Sequence, residues 1–211
     1  EKVITADQRN VEFLKDTVRS IVKAIVYTKR QTSLRYPEIK NKINEEVFFI
    51  TSQELLDMYP DLDTKARERE IVKKYGTVFI MQIGAPLSNG EPHDGRAPDY
   101  DDWALNGDIM IWNEVLQDAF EISSMGIRVD SKSLASQLKA KDAEDRLQYD
   151  YHKGIINGTL PLTIGGGIGQ SRLCMLLLEK AHIGEVQSSI WPEEMYEAFL
   201  LFIYSFWNES K

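Results

Sequence analysis

Two carboxylates, Asp108 and Glu121, are the first residues of this sequence whose type and placement suggest chemistry. Glu121 lies between Phe120 and Ile122 in a strand-like run, where burying an unpaired charge would be expensive. Mg²⁺ binds through a few carboxylate oxygens together with substrate phosphates, so the pair is a candidate magnesium site. The alternative is an exposed strand face, with Glu121 in water and its apolar neighbours pointing the other way. Strand alternation alone does not decide between the two.

Four glycines between a predicted strand and a predicted helix form the second candidate, in the run GGGIGQSR at 165–172. Glycine lets the backbone approach a ligand closely. Arg172 stands in the first turn of the predicted helix and carries a planar fork of donors that suits phosphate. The run matches neither the phosphate-binding loop nor the dinucleotide fingerprint. From these residues, a phosphate contact and a plain tight turn both remain open.

An acidic loop at 92–103 and a later arginine complete the candidates. The loop could be a lid that brings Arg96 to a phosphate and its acids to a metal or an amine. The alternative is an ordinary solvated loop. Arg128 could bind a substrate carboxylate with two hydrogen bonds or form a surface ion pair. It follows Glu121 by seven residues, about 23 Å if fully extended. We therefore predict an irregularity near Gly126 that turns Arg128 toward the site.

The sequence predicts that helices and strands without a regular alternation position these residues. Apolar spacing predicts a long helix over 8–30, and capping residues predict two more, starting at Thr51 or Ser52 and at Asp63 or Thr64. Strands are predicted at 47–50, 77–83 and 160–164, with the glycines breaking the last, and helices at 131–140, 144–157 and 170–180. Turn formers predict a loop over 84–107, followed by a hairpin with arms at 108–112 and 119–129. This order predicts an α+β fold, an antiparallel sheet flanked by helices.

Composition bounds the class of protein. The 211 residues are 43% hydrophobic and 27% charged, which predicts one globular domain over 1–211. A net charge of −8 and a pI near 5.0 argue against a nucleic-acid-binding protein. A single cysteine and no signal-like start predict a cytoplasmic location. The most apolar segment, 198–207, is shorter than the roughly 20 residues that span a bilayer, so we predict no membrane association.

Six runs carry a family resemblance: SQELL (52–56), YPDLD (59–63), RAPDYDDW (96–103), LNGDI (105–109), DAFEISSMGIR (118–128) and GGGIGQSRL (165–173). In this order they resemble the ammonia-dependent asparagine synthetase family over most of the chain. That family is similar to the catalytic core of class II aminoacyl-tRNA synthetases, closest to those for aspartate and asparagine. The resemblance therefore implies their antiparallel sheet flanked by helices.

The resemblance also implies an activity and roles for residues. The family converts aspartate, ammonia and ATP to asparagine, AMP and pyrophosphate through β-aspartyl-AMP, with Mg²⁺ and as a homodimer. Asp108 and Glu121 would hold Mg²⁺ and nucleotide, while Arg172 and Arg96 would act on phosphate. Asp101 is a candidate to accept a proton from ammonium. The remaining implied contacts are Arg128, Ser124 and Ser123 to aspartate, Gly165 and Gly167 beneath the substrate, and Gly169 to the nucleotide.

Two departures from the family pattern limit what this chain does alone. The family's N-terminal part, which carries the first two class II motifs, has no counterpart here, and Glu1 falls just after it. Trp103 runs directly into Ala104, where the family has a longer segment. We therefore expect an incomplete enzyme. Two rivals to asparagine synthesis are a class II aminoacyl-tRNA synthetase or its paralogue, and a non-catalytic synthetase-like protein.

Overall fold

The computed structural model describes residues 1–197, and within them six strands form one sheet flanked by helices. The strands are β1 (Lys2–Val3), β2 (Phe48–Thr51), β3 (Thr77–Met81), β4 (Asp101–Asn113), β5 (Asp118–Arg128) and β6 (Thr163–Ile168). The α-helices are α1 (Val11–Arg35), α2 (Ser52–Met58), α3 (Thr64–Tyr75), α4 (Ser131–Ala140), α5 (Asp150–Ile156) and α6 (Gln170–Leu178). The predicted α+β fold is confirmed. The apolar segment 198–207 lies outside the described residues.

The sheet brings the candidate segments together. Its strand order is β1–β6–β5–β4–β3–β2, and every neighbouring pair is antiparallel except β2 with β3. β4 and β5 form the long central hairpin, and β5 pairs on its other side with β6. Asp108 on β4, Glu121 on β5 and the glycine run on β6 therefore lie on three adjacent strands.

Different helices bury the two faces of the sheet. α1 covers one face, and its side chains share a core with β-strand residues; this core includes Leu14, Val18, Val22, Phe79, Ile109 and Ile127. α2 and α3 cover the other face, in a core that includes Leu55, Ile71, Ile80 and Met110. Side chains alternate between faces along a strand, so Asp108 shares the α3 face with Met110.

Local signals placed the starts of α2 and α3 correctly. The Thr51 hydroxyl accepts a hydrogen bond from the Glu54 backbone N–H at 3.1 Å, and the Glu54 carboxylate accepts from the Thr51 backbone N–H at 2.8 Å. This reciprocal pair is a capping box. Asp63 caps α3 by accepting from the Ala66 backbone N–H at 2.8 Å.

Other predicted boundaries were wrong, each for a local reason. α1 begins at Val11 because the Asn10 side chain accepts from the Phe13 N–H at 2.9 Å. The predicted helix over 144–157 is a 3₁₀ helix, Glu144–Gln148, followed by α5. Tyr149 between them is extended, with φ −80° and ψ 150°. β3 stops at Met81 because Gln82 adopts a left-handed φ of 62°.

The predicted loop over 84–107 ends earlier than expected, since β4 already begins at Asp101. Asn106-Gly107 reads as a turn in the sequence, yet both residues belong to the strand and Gly107 pairs with Met81 and Met125. A Cβ on Gly107 would overlap the carbonyl oxygen of Ile80 and lie 2.8 Å from the Phe79 ring. Glycine is needed here for close packing within the sheet rather than for a turn.

We expect Gly107→Ala to lower the free energy of unfolding by about 1–3 kcal/mol, because the added methyl group has no room in this packed position. Denaturant titration of the purified variant measures the change. Gly95→Ala is the matched control, since a Cβ at Gly95 would meet no atom within 4 Å. Equal stabilities of the two variants would contradict the expectation.

Candidate active site

A cleft of about 620 Å³ opens where β5 meets the β6–α6 junction and the 96–101 segment. Eight of the predicted site residues line it: Arg96, Asp101, Glu121, Ser123, Ser124, Gly167, Gly169 and Arg172. Asp108 and Arg128 do not line it directly; they form ion pairs with the lining residues Arg96 and Asp101. Gly165 lies against Arg128, where a Cβ would be 2.7 Å from Arg128 Nη2. The structure thus brings the predicted residues to one region.

A β-bulge in β5 decides which side chains face this cleft. Ser123 pairs with Ile109 and Glu121 pairs with Met110, so Ile122 is an extra residue on β5. In an unbroken strand, Glu121 and Ser124 would point to opposite faces because their spacing is odd. With the bulge, Ile122 and Met125 both enter the α1-side core, and Glu121 and Ser124 share the opposite face.

Asp108 and Glu121 consequently lie on one face of the central hairpin. Asp108 pairs with Ser124, two residues along β4 from Met110, the partner of Glu121. This is the diagonal cross-strand arrangement, within reach of long side chains. Burial raises the pKa of Asp108, and the nearby charge of Glu121 raises it further, against the lowering effect of Arg96. A shared metal requires this one-sided placement, and the metal role itself stays a prediction.

The donor set is consistent with magnesium. Asp108 Oδ1 is buried and accepts no hydrogen bond from any residue in 1–197, while Oδ2 is bonded to Arg96. Across the same range there is no cluster of three or more His, Cys, Asp or Glu residues able to hold a metal. Mg²⁺ keeps several waters and needs only one or two carboxylates alongside phosphates, so two carboxylates fit it.

The glycine run is neither a phosphate loop nor a tight turn. It forms most of β6, in register with β5, and the prediction that the glycines break the strand was wrong. Gly166 has a packing reason, since a Cβ there would lie 2.5 Å from the Met125 Cβ. A Cβ on Gly167, which lines the cleft, would meet nothing within 4 Å. Gly167 therefore faces open space in the cleft.

Arg172 enters the cleft from the first turn of α6. Its Nη1 donates to the Glu121 carbonyl oxygen at 3.2 Å and lies 3.6 Å from Glu121 Oε1. The side chain is 49% exposed. An anion in the cleft can reach this half-exposed guanidinium, and the phosphate role of Arg172 stays a prediction.

Arg128 is buried at the end of β5, so the alternative of a surface ion pair does not hold. It is paired with Asp101, its Nε and Nη2 donate to the Glu1 carboxylate at 2.8 and 2.5 Å, and its Nη2 donates to the Tyr100 hydroxyl at 3.0 Å. Its guanidinium also stacks 3.9 Å from the centroid of the Tyr100 ring. Arg128 is therefore surrounded by carboxylates, and the Glu1 carboxylate already bonds two donors of its guanidinium.

The irregularity predicted near Gly126 is present across from it, on β4 rather than in β5 itself. β5 runs to Arg128 and stays in register with β6 through Gly126 to Ile127. The extra residues are on β4, between Asp101 and Asn106, which pair with Arg128 and Gly126. This offset places Asp101 beside Arg128. The prediction put the bend on the wrong strand because glycine in β5 was read as a hinge, whereas Gly126 makes room for Asp101 and Asn106.

Asp101 has a perturbed acidity that suits a proton acceptor. It is buried, and burial raises its pKa against the lowering effect of its ion pair with Arg128. A carboxylate with a raised pKa accepts a proton more readily near neutral pH than an exposed one does.

Sequence reasoning missed the residues that hold this segment. Asp99 Oδ2 is 2.9 Å from Arg146 Nη1 and 3.0 Å from His152 Nε2, in the 3₁₀ helix and α5 that follow α4. Although its partial burial would raise its pKa, these bonds lower it. The partners are 47 and 53 residues away in sequence, and no local signal connects them. They anchor the chain immediately before Tyr100 and Asp101.

Residues 1–200 match the family model for aspartate–ammonia ligase. The chain belongs to the aspartate–ammonia ligase family. It is 59% identical over 195 residues to the aspartate–ammonia ligase of Clostridium tetani, covering 92% of this chain and 57% of that protein. It is 55% identical over 197 residues to that of Levilactobacillus brevis, covering 93% and 59%. The chain thus spans less than two thirds of the length of these relatives.

Solved structures support the fold of this family member. An aspartyl-tRNA synthetase from Entamoeba histolytica superposes with a TM-score of 0.60 at 18% identity, covering 88% of this chain and 40% of that chain. An asparaginyl-tRNA synthetase from the same organism, in complex with asparaginyl-adenylate, gives 0.58 at 16% identity, covering 84% and 44%. The predicted synthetase-like core is confirmed as a fold. Within residues 1–197, no helix is long and apolar enough to cross a membrane.

Proposed function

We propose that this protein makes asparagine from aspartate, ammonia and ATP through β-aspartyl-AMP, releasing AMP and pyrophosphate. The observation that carries the proposal is the family match over residues 1–200, which contains every residue of the cleft. Because the relatives are longer than this chain, the activity is proposed for the full-length protein. A homodimer and a cytoplasmic location remain predictions.

In the first half-reaction, an oxygen of the aspartate β-carboxylate attacks the α-phosphorus of ATP, and the bond to pyrophosphate breaks. Arg172 and Arg96 line the cleft and would stabilise the charge that gathers on the phosphate oxygens. Asp108 and Glu121 would hold Mg²⁺, which neutralises phosphate charge when it is bound. Gly167, which faces open space in the cleft, and Gly169 would lie beneath the nucleotide.

In the second half-reaction, ammonia attacks the activated acyl carbon and AMP leaves. Ammonia arrives mostly as ammonium, so a group in the cleft must take a proton from it. Asp101 is our candidate, since it lines the cleft and burial raises its pKa. We further infer that the α-carboxylate of aspartate replaces the Glu1 carboxylate on Nε and Nη2 of Arg128, with Ser123 and Ser124 orienting the substrate.

One assay separates this function from its rivals. The full-length protein is incubated with ATP, aspartate and ammonium without tRNA, and asparagine and AMP are quantified. Asparagine that requires ammonium supports the proposal. AMP formation that appears only after tRNA is added, without asparagine, would favour a tRNA-charging enzyme or its paralogue, because the adenylate releases AMP when an acceptor attacks it. No nucleotide turnover, even with tRNA added, would favour a non-catalytic protein.

We expect Arg128→Lys to raise the KM for aspartate by about tenfold or more and to leave the KM for ATP nearly unchanged. A lysine ammonium is a point charge and cannot reproduce the two parallel hydrogen bonds of the guanidinium to a carboxylate. Steady-state kinetics with each substrate varied in turn measures both constants. The control is Arg30→Lys, on the exposed part of α1. A parallel rise in both KM values would place Arg128 in a general structural role.

A further inference from the structure

A second cavity adjoins the cleft on its α3 side. It has a volume of about 290 Å³ and shares Glu121 and Arg172 with the cleft, so the two spaces meet at this pair. The remaining lining comes from α3 and the β4–β5 hairpin: Lys65, Glu68, Met110, Asp118, Ala119 and Phe120. We call this space the Lys65 pocket. Since a water molecule occupies roughly 30 Å³ in the liquid, the pocket has room for several heavy atoms.

Lys65 is held in this pocket by buried groups. Its Nζ lies 2.8 Å from Glu68 Oε2, and Glu68 Oε1 lies 3.1 Å from His93 Nε2. The side chains of Glu68 and His93 are 8% and 1% exposed, whereas that of Lys65 is 78% exposed. A buried acid and histidine that support one exposed ammonium resemble the supporting contacts that orient a functional group.

The two cations of the pocket are paired with carboxylates but stay open to solvent, Lys65 at 78% and Arg172 at 49% exposure. Glu68 is bonded by Lys65 and His93, Asp118 lies 3.7 Å from Arg69, and Glu121 lies 3.6 Å from Arg172. Desolvation alone would lower the pKa of Lys65, but Glu68, Asp94 and Glu121 raise it, so the ammonium remains charged. The cationic ends of Lys65 and Arg172 therefore flank Glu121, which we have assigned to Mg²⁺.

We propose that the Lys65 pocket binds the terminal phosphates of ATP, and pyrophosphate after the adenylate has formed, with Lys65 as its phosphate-binding cation. This inference rests on the proposed function. Arg172 lines both spaces, so an ATP molecule whose α-phosphate lies in the cleft can extend its β- and γ-phosphates past Arg172 to Lys65. Magnesium pyrophosphate carries less negative charge than pyrophosphate alone, which suits a pocket that also contains carboxylates.

Calorimetric binding of magnesium pyrophosphate, magnesium ATP and AMP to the full-length protein tests the assignment. Lys65→Met should weaken binding of pyrophosphate and ATP by about tenfold or more, because a charge-assisted contact is lost. Binding of AMP, which lacks the terminal phosphates, should change by less than about twofold. Lys65→Arg should recover most of the loss. Lys73→Met, at an exposed position of α3 that lines neither space, should bind all three ligands normally.

Two results would overturn the assignment: unchanged pyrophosphate binding by Lys65→Met, or an equal loss for AMP and pyrophosphate. Pyrophosphate binding requires neither aspartate nor ammonium, so it is measured independently of asparagine synthesis. If the wild-type protein makes asparagine while Lys65→Met binds pyrophosphate normally, only the Lys65 assignment fails. If Lys65-dependent binding is found but no asparagine forms, only the proposed function fails.

Discussion

Replacing Arg172 with alanine is expected to lower turnover by about 10²-fold or more, the scale for loss of one preorganised charge-stabilising donor. Arg172 stands where the cleft and the Lys65 pocket meet, and its guanidinium is half exposed beside Glu121. It is therefore placed to act on charge that develops during transfer at the α-phosphorus. Arg172→Lys should also lose most of the rate, because a point charge cannot replace the planar fork.

Single-turnover and steady-state kinetics of the full-length protein measure this loss. Arg19→Ala is the matched control, because Arg19 is similarly exposed at 51% and is also bonded to a carboxylate, but on α1 at the opposite face of the sheet. Unfolding midpoints of both variants should stay close to that of the wild type. Near wild-type turnover in a folded Arg172→Ala protein would show that Arg172 has no part in adenylate chemistry.

Glu121→Gln and Asp108→Asn should each raise the Mg²⁺ concentration needed for half-maximal rate by at least about tenfold. Removing a residue that only orients a metal ligand often weakens metal binding by about tenfold or more. These substitutions remove the negative charge of a proposed ligand itself. Titration of the rate with Mg²⁺, and calorimetry of magnesium ATP binding, give two independent measures. Asp16→Asn is the control, since Asp16 is an exposed carboxylate on α1 that lines neither the cleft nor the Lys65 pocket. An unchanged Mg²⁺ requirement in Glu121→Gln would remove the shared metal site.

The same titration has an expected dependence on pH. Burial raises the pKa of Asp108, and the charge of Glu121 adds to the rise. A protonated Asp108 is neutral and binds a cation poorly, so Mg²⁺ affinity should fall on acidification while ordinary carboxyls, with pKa near 4, are still ionised. Asp108→Asn should show a flatter profile over this range. A wild-type profile as flat as that of the variant would contradict the assignment of Asp108.

The parts of the fold that depend on neighbouring residues were predictable from the sequence. The caps at Thr51 and Asp63 use contacts three residues apart, and these contacts form as the residue types indicate. Apolar spacing located α1, and the two arms of the hairpin were found from their β-rich runs. Boundaries failed where one residue ended an element through its own backbone, as at Gln82 and Tyr149.

Glycine was the least reliable signal. Gly107 and Gly166 suggested breaks, because glycine is common in turns and has high conformational freedom. In the sheet, the missing side chain lets neighbouring residues pack closely. Ile80 and Phe79 lie against Gly107, and Met125 lies against Gly166. Close approach between strands depends on the packed sheet, and a single sequence contains no sign of it.

The sequence by itself determined which residue types were available to the site: the carboxylates Asp108 and Glu121, the forks of Arg128 and Arg172, and the glycines between them. Only the tertiary structure decided that Asp108 and Glu121 share one face, because the bulge at Ile122 shifts the alternation of β5 by one residue. It also decided which distant partners hold the supporting carboxylates, His152 for Asp99 and His93 for Glu68. Such contacts join residues far apart in the chain, and they form only once the sheet has brought those residues together.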